Sequence, residues 1–242
     1  MPPSVLSDRQ TIRFCTSSDG VRIAYAITGK GLPVVKAANW LTHIEFDEAS
    51  PVWRHWVVEL SSRHTYVRYD ERGCGLSDWD AADLSFASWV RDLEAVVDAA
   101  GLARFALLGM SQGSAVAIAY AARHPERVSH LVLCGAFARG RAVWAKSQRE
   151  VEENEAAIRL AELGWDKENP AFRQAFAALL LPEGSADHHR SFTELMRNTT
   201  SAGNAGRLLR EFTTLDVQGL AAQIRCPTLV LHCRQDVRVP FE

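Results

Sequence analysis

No stretch of this 242-residue sequence approaches the roughly 20 consecutive apolar residues that a membrane-spanning helix needs, so a role within the bilayer is not expected. The opening residues, Met1 to Gln10, lack the basic and then apolar pattern of a secretory signal, which makes the cytoplasm the expected compartment. Cysteine is scarce and unpatterned. The five residues Cys15, Cys74, Cys134, Cys226 and Cys233 are odd in number and form no C-x-x-C pair, so reduced thiols, most of them packed as small core residues, are expected rather than a disulfide frame or a zinc site. A surplus of basic charge is also missing. Twenty-seven Lys and Arg stand against 29 Asp and Glu, with no basic stripe to neutralise phosphates, and nucleic acid is not an expected partner. There are no internal repeats and no low-complexity tract.

What the sequence does have is the composition of an ordinary globular chain. With 47% hydrophobic residues it can bury one substantial core. From Thr11 to Cys134, short β-rich runs alternate with helical patterns, the arrangement of a mostly parallel sheet flanked by helices. Thr11 to Cys15 and Val21 to Ile27 flank the polar turn Ser18-Asp19-Gly20, predicting an antiparallel hairpin that leads the sheet. Pro33 to Ala38 reads as a buried strand, Pro51 to Leu60 as a helix, and Thr65 to Tyr69 as the fourth strand. Phe86, Trp89, Val90, Leu93, Val96, Val97 and Ala100 repeat at three and four, a strongly amphipathic helix that stops at Gly101. Phe105 to Gly109 is the fifth strand, Gln112 to Arg123 a helix of small residues, and Val128 to Cys134 a further strand.

Strand signals then vanish from Ala138 to Phe212, and Pro227 to His232 restores one. The expected organisation is a core over residues 1–137, a helical lid over 138–213, and a continuation of the core over 214–242.

The segment richest in chemistry is Gly109-Met110-Ser111-Gln112-Gly113, a G-x-S-x-G run between a strand and a helix. Such a turn is sharp and strained. It projects Ser111 at the carboxyl edge of the sheet, and the N–H of Gln112 at the helix start faces the oxyanion formed when a serine attacks a carbonyl. A five-residue match arises by chance in many chains, but its place in an open α/β sheet is where such sheets put their sites.

With that turn, with Asp70-Glu71-Arg72-Gly73-Cys74-Gly75-Leu76-Ser77-Asp78 after the fourth strand, and with Pro227 to Asp236 near the end, the sequence resembles the α/β-hydrolase family over nearly its whole length. Lys36 to His43 and Tyr69 to Ser77 are similar, more narrowly, to a bacterial subgroup whose members also occur fused to adenylate cyclase or helix-turn-helix regulatory domains. The resemblance implies Ser111 as nucleophile and Asp236 as the acid that orients an imidazole. Asp70 and Asp78 are weaker candidates for that acid, because their motif usually holds its own loop together. Cys233 stands where the family usually has glycine. The second oxyanion donor implied is the backbone N–H of Trp40, in Ala38-Asn39-Trp40, where many relatives carry His-Gly and a variable residue. Trp40 itself reads equally as pocket wall or as core.

In this family the triad follows the order Ser, Asp, His. The sequence ends at Glu242, soon after Asp236, so the catalytic histidine is expected to be absent from this chain, together with the last strand and helices. His43 in the third-strand loop and the pair His188 and His189 are weak substitutes; His55, His64, His124, His130 and His232 read as packing or surface residues. The strand at Pro227 to His232 is then expected to leave an open sheet edge, through which copies of the chain could pair as a homo-oligomer.

The leading expectation is a carboxylic-ester hydrolase that acts on a small-molecule ester or acyl substrate through an acyl-serine intermediate and requires no cofactor or metal. Serine at the nucleophile position argues against haloalkane dehalogenase or epoxide hydrolase chemistry. Lactonase, thioesterase, peptidase and carbon–carbon hydrolase activities stay open. Trp165, Phe172, Phe176 and Leu180 suggest an apolar pocket under the lid, or else packing within it. The competing expectations are a ligand-sensing module with little or no turnover, and an inactive scaffold that pairs with another subunit.

Overall fold

The computed structural model describes residues 10–236, 238, 239 and 241. Seven strands form one sheet: β1 (Thr11–Thr16), β2 (Arg22–Thr28), β3 (Leu32–Lys36), β4 (His64–Tyr69), β5 (Phe105–Met110), β6 (Val128–Cys134) and β7 (Thr228–Leu231). Their spatial order is β1-β2-β4-β3-β5-β6-β7. The β1–β2 and β2–β4 pairs are antiparallel and every later pair is parallel, so the leading hairpin opens a sheet of the expected α/β class. Strand side chains alternate between the two faces. On β2, Ile23 and Tyr25 enter the main core with Val35, Val67 and Leu107, while Ala24 and Ala26 pack with Ile44 on the other face.

The helices over the first part of the chain are α1 (Ile44–Ala49), α2 (Arg54–Ser61), α3 (Phe86–Ala99) and α4 (Gly113–Arg123). α3 follows its sequence pattern closely. Ser85 caps it by accepting the Ser88 N–H, and Trp89, Val90, Leu93, Val96 and Val97 are buried along one stripe. Two details differ from the periodicity. Residues 51–53 form a turn fixed by Ser50 Oγ, which accepts the Val52 N–H at 3.2 Å, so the helix expected from Pro51 begins at Arg54. The short α1 was not legible because Ile44 is its one buried residue and its first N–H is satisfied from a distance, by Asp70 Oδ1 at 2.9 Å.

Beyond β6 the chain forms α5 (Arg141–Trp144), α6 (Gln148–Gly164), α7 (Ala171–Leu180), α8 (Ala186–Thr199) and α9 (Ala202–Thr213), then α10 (Gln218–Ala221) before β7. These helices hold their own core, in which Ile158, Trp165, Phe176, Phe192, Leu195, Met196 and Leu209 pack with Leu41. Trp165 is fully buried and its Nε1 donates to Thr200 O at 3.1 Å. Of the two expectations for Trp165, Phe172, Phe176 and Leu180, a pocket wall or internal packing, the second holds for most. Among them, Trp165 and Phe176 are buried, and only Leu180 reaches the cavity described below.

All five cysteines are free thiols, but only Cys74 is fully buried. Cys15 and Cys226 are partly exposed but pack against the main core, while Cys134 is partly exposed and Cys233 exposed, so the expectation of core cysteines holds in full for Cys74 and at the core's margin for Cys15 and Cys226. No helix among the described residues is long and apolar enough to cross a membrane, and no group of three or more His, Cys, Asp or Glu is arranged to hold a metal ion.

Candidate active site

Ser111 sits between the end of β5 and the start of α4 with φ of 48°, the one non-glycine residue among those described with a positive φ. A left-handed conformation strains a residue that carries a Cβ, and such strain persists only where the surroundings impose it. Here two glycines impose it. A Cβ on Gly109 would lie 2.6 Å from Ser114 Cα, and one on Gly113 would lie 2.6 Å from the carbonyl oxygen of Ala38. The Ser111 N–H donates to Cys134 O at 2.9 Å, which ties the turn to the end of β6. The outcome is an exposed Ser111 side chain at the amino end of an 11-residue helix, where unpaired N–H groups and the helix dipole favour negative charge.

The loop after β3 approaches this turn from the opposite side. Gln112 is buried, and its side chain joins two segments: Oε1 accepts the Trp40 N–H at 3.0 Å and Nε2 donates to Glu71 Oε1 at 3.1 Å. Lys36 Nζ, also buried, donates to Asn39 Oδ1 in the same loop. Burial pulls the Lys36 ammonium down to about 8 and pushes the Glu71 carboxyl up to about 8. The sequence motifs gave no sign that the Gln112 carboxamide bridges these parts. The Trp40 N–H, expected to be available to an oxyanion, is thus engaged by a side chain, whereas the Gln112 N–H has no protein acceptor among the described residues. The Trp40 ring is both wall and core. It lines the cavity and packs on Trp165, Phe176 and Phe212 with centroids 5.4 to 5.9 Å apart.

Asp236 follows β7 and lies at the same edge of the sheet. Its Oδ1 accepts the N–H groups of Arg238 and Val239 at 2.8 and 2.9 Å, and its Oδ2 would lie 3.7 Å from a Cβ placed on Gly135, just past β6. Cys233 is exposed and its carbonyl accepts the Asp236 N–H at 3.2 Å, so that side chain does not crowd the loop. Asp70 and Asp78 are structural in their contacts. Asp70 is fully buried and accepts the N–H groups of Ile44 and Leu76, and Asp78 accepts the Arg22 N–H at 2.8 Å. Arg72 of the same motif is buried and grips Asp92 at 2.6 and 2.7 Å and Asp19 at 2.7 Å.

Ser111 and the Trp40 and Gln112 side chains open on a cavity of about 690 Å³ with no histidine among its lining residues. His43 is partly buried at the start of α1, against Phe46. His188 caps α8, and His189 Nε2 contacts Leu181 O at 2.7 Å. His232 Nε2 contacts Val239 O at 2.7 Å and lies 3.9 Å from Asp236 Oδ2.

A family model described as the alpha/beta hydrolase fold matches residues 46–240. Pyrrolizixenacetamide deacetylase from Xenorhabdus hominickii is 29% identical over 228 residues, covering 90% of this chain and 79% of that protein. The esterase RhEst1 from Rhodococcus sp. ECU1013 superposes with a TM-score of 0.71 at 27% identity, over 95% of this chain and 82% of its own. The esterase from Exiguobacterium antarcticum shares the fold with a TM-score of 0.77 at 23% identity, over 94% of this chain and 83% of its own. With the strained serine turn set in a sheet of this order, the chain belongs to the α/β-hydrolase fold family and is a hydrolase.

Proposed function

We propose that the protein cleaves a carboxylic ester through an acyl-serine intermediate on Ser111. The observation that carries this reading is the exposed Ser111 held at φ 48° between Gly109 and Gly113 at the start of α4, a strained geometry with no packing purpose of its own. Ser111 Oγ attacks the carbonyl carbon, its proton passes to a base, and the tetrahedral oxyanion takes the Gln112 N–H. The Trp40 N–H becomes the second donor when the Gln112 carboxamide turns away from it. Collapse expels the alcohol with the proton from the base, and water then releases the acid and frees Ser111.

In this reading Asp236 orients the imidazole of the base, and none of the eight histidines of the sequence, all of them before Asp236, lines the cavity at Ser111. No cofactor or metal takes part. The helices from Arg141 to Thr213 act as the lid that sets which acyl and alcohol groups enter.

The test is intact-protein mass spectrometry with an activated fluorophosphonate, run beside hydrolysis of p-nitrophenyl butyrate. One adduct that is lost in Ser111→Ala, together with ester turnover, is the expected result. One observation favours a second reading: no described histidine lines the cavity at Ser111. A ligand-sensing module would bind acyl compounds there without forming any Ser111 adduct, and that outcome would replace the hydrolytic mechanism.

A further inference from the structure

We propose that the cavity at Ser111 takes an ester bearing a carboxylate on its acyl or alcohol part, held by Arg139, Arg141, Lys146 and Arg238. The proposal rests on the ester-hydrolase reading for the reacting carbonyl and names the class of substrate. Its basis is the cavity's charge. Those four cations line the same space as Ser111, and no Asp or Glu is among the lining residues. The chain as a whole carries slightly more acidic than basic residues, 29 against 27, so the cavity departs from the composition around it.

The four cations are also unemployed. None of their side chains donates a hydrogen bond or forms an ion pair among the described residues, whereas Arg72, Arg127 and Arg210 elsewhere are paired with carboxylates. Arg139 lies just before the short α5, Arg141 at its first position and Lys146 just after it, while Arg238 lies beyond β7, so two parts of the chain far apart in sequence bring like charges to one mouth. Arg238 is half-buried. Desolvation lowers its pKa, the neighbouring Arg141 lowers it further, and Asp236 opposes both. Asp236 offsets part of that repulsion through its charge, but forms no ion pair with Arg238 among the described residues; its Oδ1 accepts the N–H groups of Arg238 and Val239 instead.

An anion entering the cavity relieves that repulsion, and a carboxylate matches the planar guanidinium fork. Most of the remaining wall is apolar and aromatic, with Trp40, Phe137, Leu180 and Phe212 beside the two carboxamides Gln112 and Gln218, which suits a short hydrocarbon span between the carboxylate and the reacting ester.

The experiment compares monomethyl glutarate with dimethyl glutarate, titrated into Ser111→Ala and followed by calorimetry, so that binding is read without turnover. The monoanion should bind about tenfold tighter, a difference of about 1.4 kcal/mol. The margin should shrink as salt is raised and vanish in Arg141→Gln/Arg238→Gln, while the neutral diester binds that variant as before. Equal affinity for the two esters, no saturable binding of either, or a preference that survives in the double variant would overturn the proposal. A charge preference without fluorophosphonate labelling sinks only the hydrolytic mechanism, and labelling without a charge preference sinks only this assignment.

Discussion

Gln112 Oε1 and the Trp40 N–H are hydrogen-bonded at 3.0 Å, across 72 positions of sequence, and the same carboxamide reaches Glu71 with its other end. The residue beside the nucleophile thus fixes the loop that faces it. Gln112→Leu keeps the volume but leaves the Trp40 N–H and the buried Glu71 without their partner, at a cost of about 1–3 kcal/mol. Urea unfolding measures that cost, and fluorophosphonate labelling of Ser111 should slow in the same variant. Unchanged stability would mean that this bracket contributes nothing.

Backbone contact at Gly113 makes a sharper prediction. An alanine there would place its Cβ 2.6 Å from Ala38 O and 3.0 Å from Ala37 O, two atoms that cannot rotate away. Gly113→Ala should cost at least about 2 kcal/mol in thermal or urea unfolding and displace the loop after β3, with labelling of Ser111 reduced well beyond that of a surface control.

Strain at Ser111 separates two replacements of the nucleophile. Ser111→Ala keeps the Cβ and therefore the strain, while Ser111→Gly removes both. Both variants should lose labelling, yet the glycine form should be more stable than the alanine form by about 1 kcal/mol. Equal melting temperatures would show that the turn at φ 48° holds no strain.

The buried charges behind the site make stability depend on pH in opposite senses. Burial raises the Glu71 carboxyl from 4.5 to about 8, against the lowering effect of the Gln112 hydrogen bond. Between these values the folded protein keeps a proton that the unfolded chain has released, so stability falls as pH rises through that window. Burial also raises Asp70, from 3.8 to about 8, and it acts in the same direction. Lys36 is lowered from 10.5 to about 8 by burial, so from there upward the unfolded chain binds the extra proton and stability recovers. A minimum near pH 8 is expected in urea midpoints. Glu71→Gln, which still accepts from Gln112, should flatten the fall on the acid side of the minimum; an unaltered slope would show that Glu71 is ionised throughout.

Much of this protein is legible without coordinates because its signals are local. The amphipathic stripe from Phe86 to Ala100 and the strand, turn and helix around Ser111 each lie within one short segment, where periodicity and glycine spacing express the geometry directly. What escaped the sequence is made by distant parts. Glu71 meets Gln112 from 41 positions away, and α1 takes its cap from Asp70. Trp165 and Phe176 have the composition of a pocket wall, but burial against Leu41 and Phe192 makes them internal packing. The cationic mouth is gathered from either side of a helical segment, so no linear pattern announces it.

The approach of Gly113 to Ala38 also bears on how this protein can change over generations. Where main chain meets main chain with no side chain between, mutation has almost nothing to adjust, and a substitution that keeps the serine turn must keep its spacing to the facing loop. Novelty must be written elsewhere. The cavity wall at Phe137, Arg139, Arg141, Trp144 and Lys146, with Leu180 and Phe212, is built of side chains, so a descendant can acquire a new preference there while its reactive geometry stays as it was.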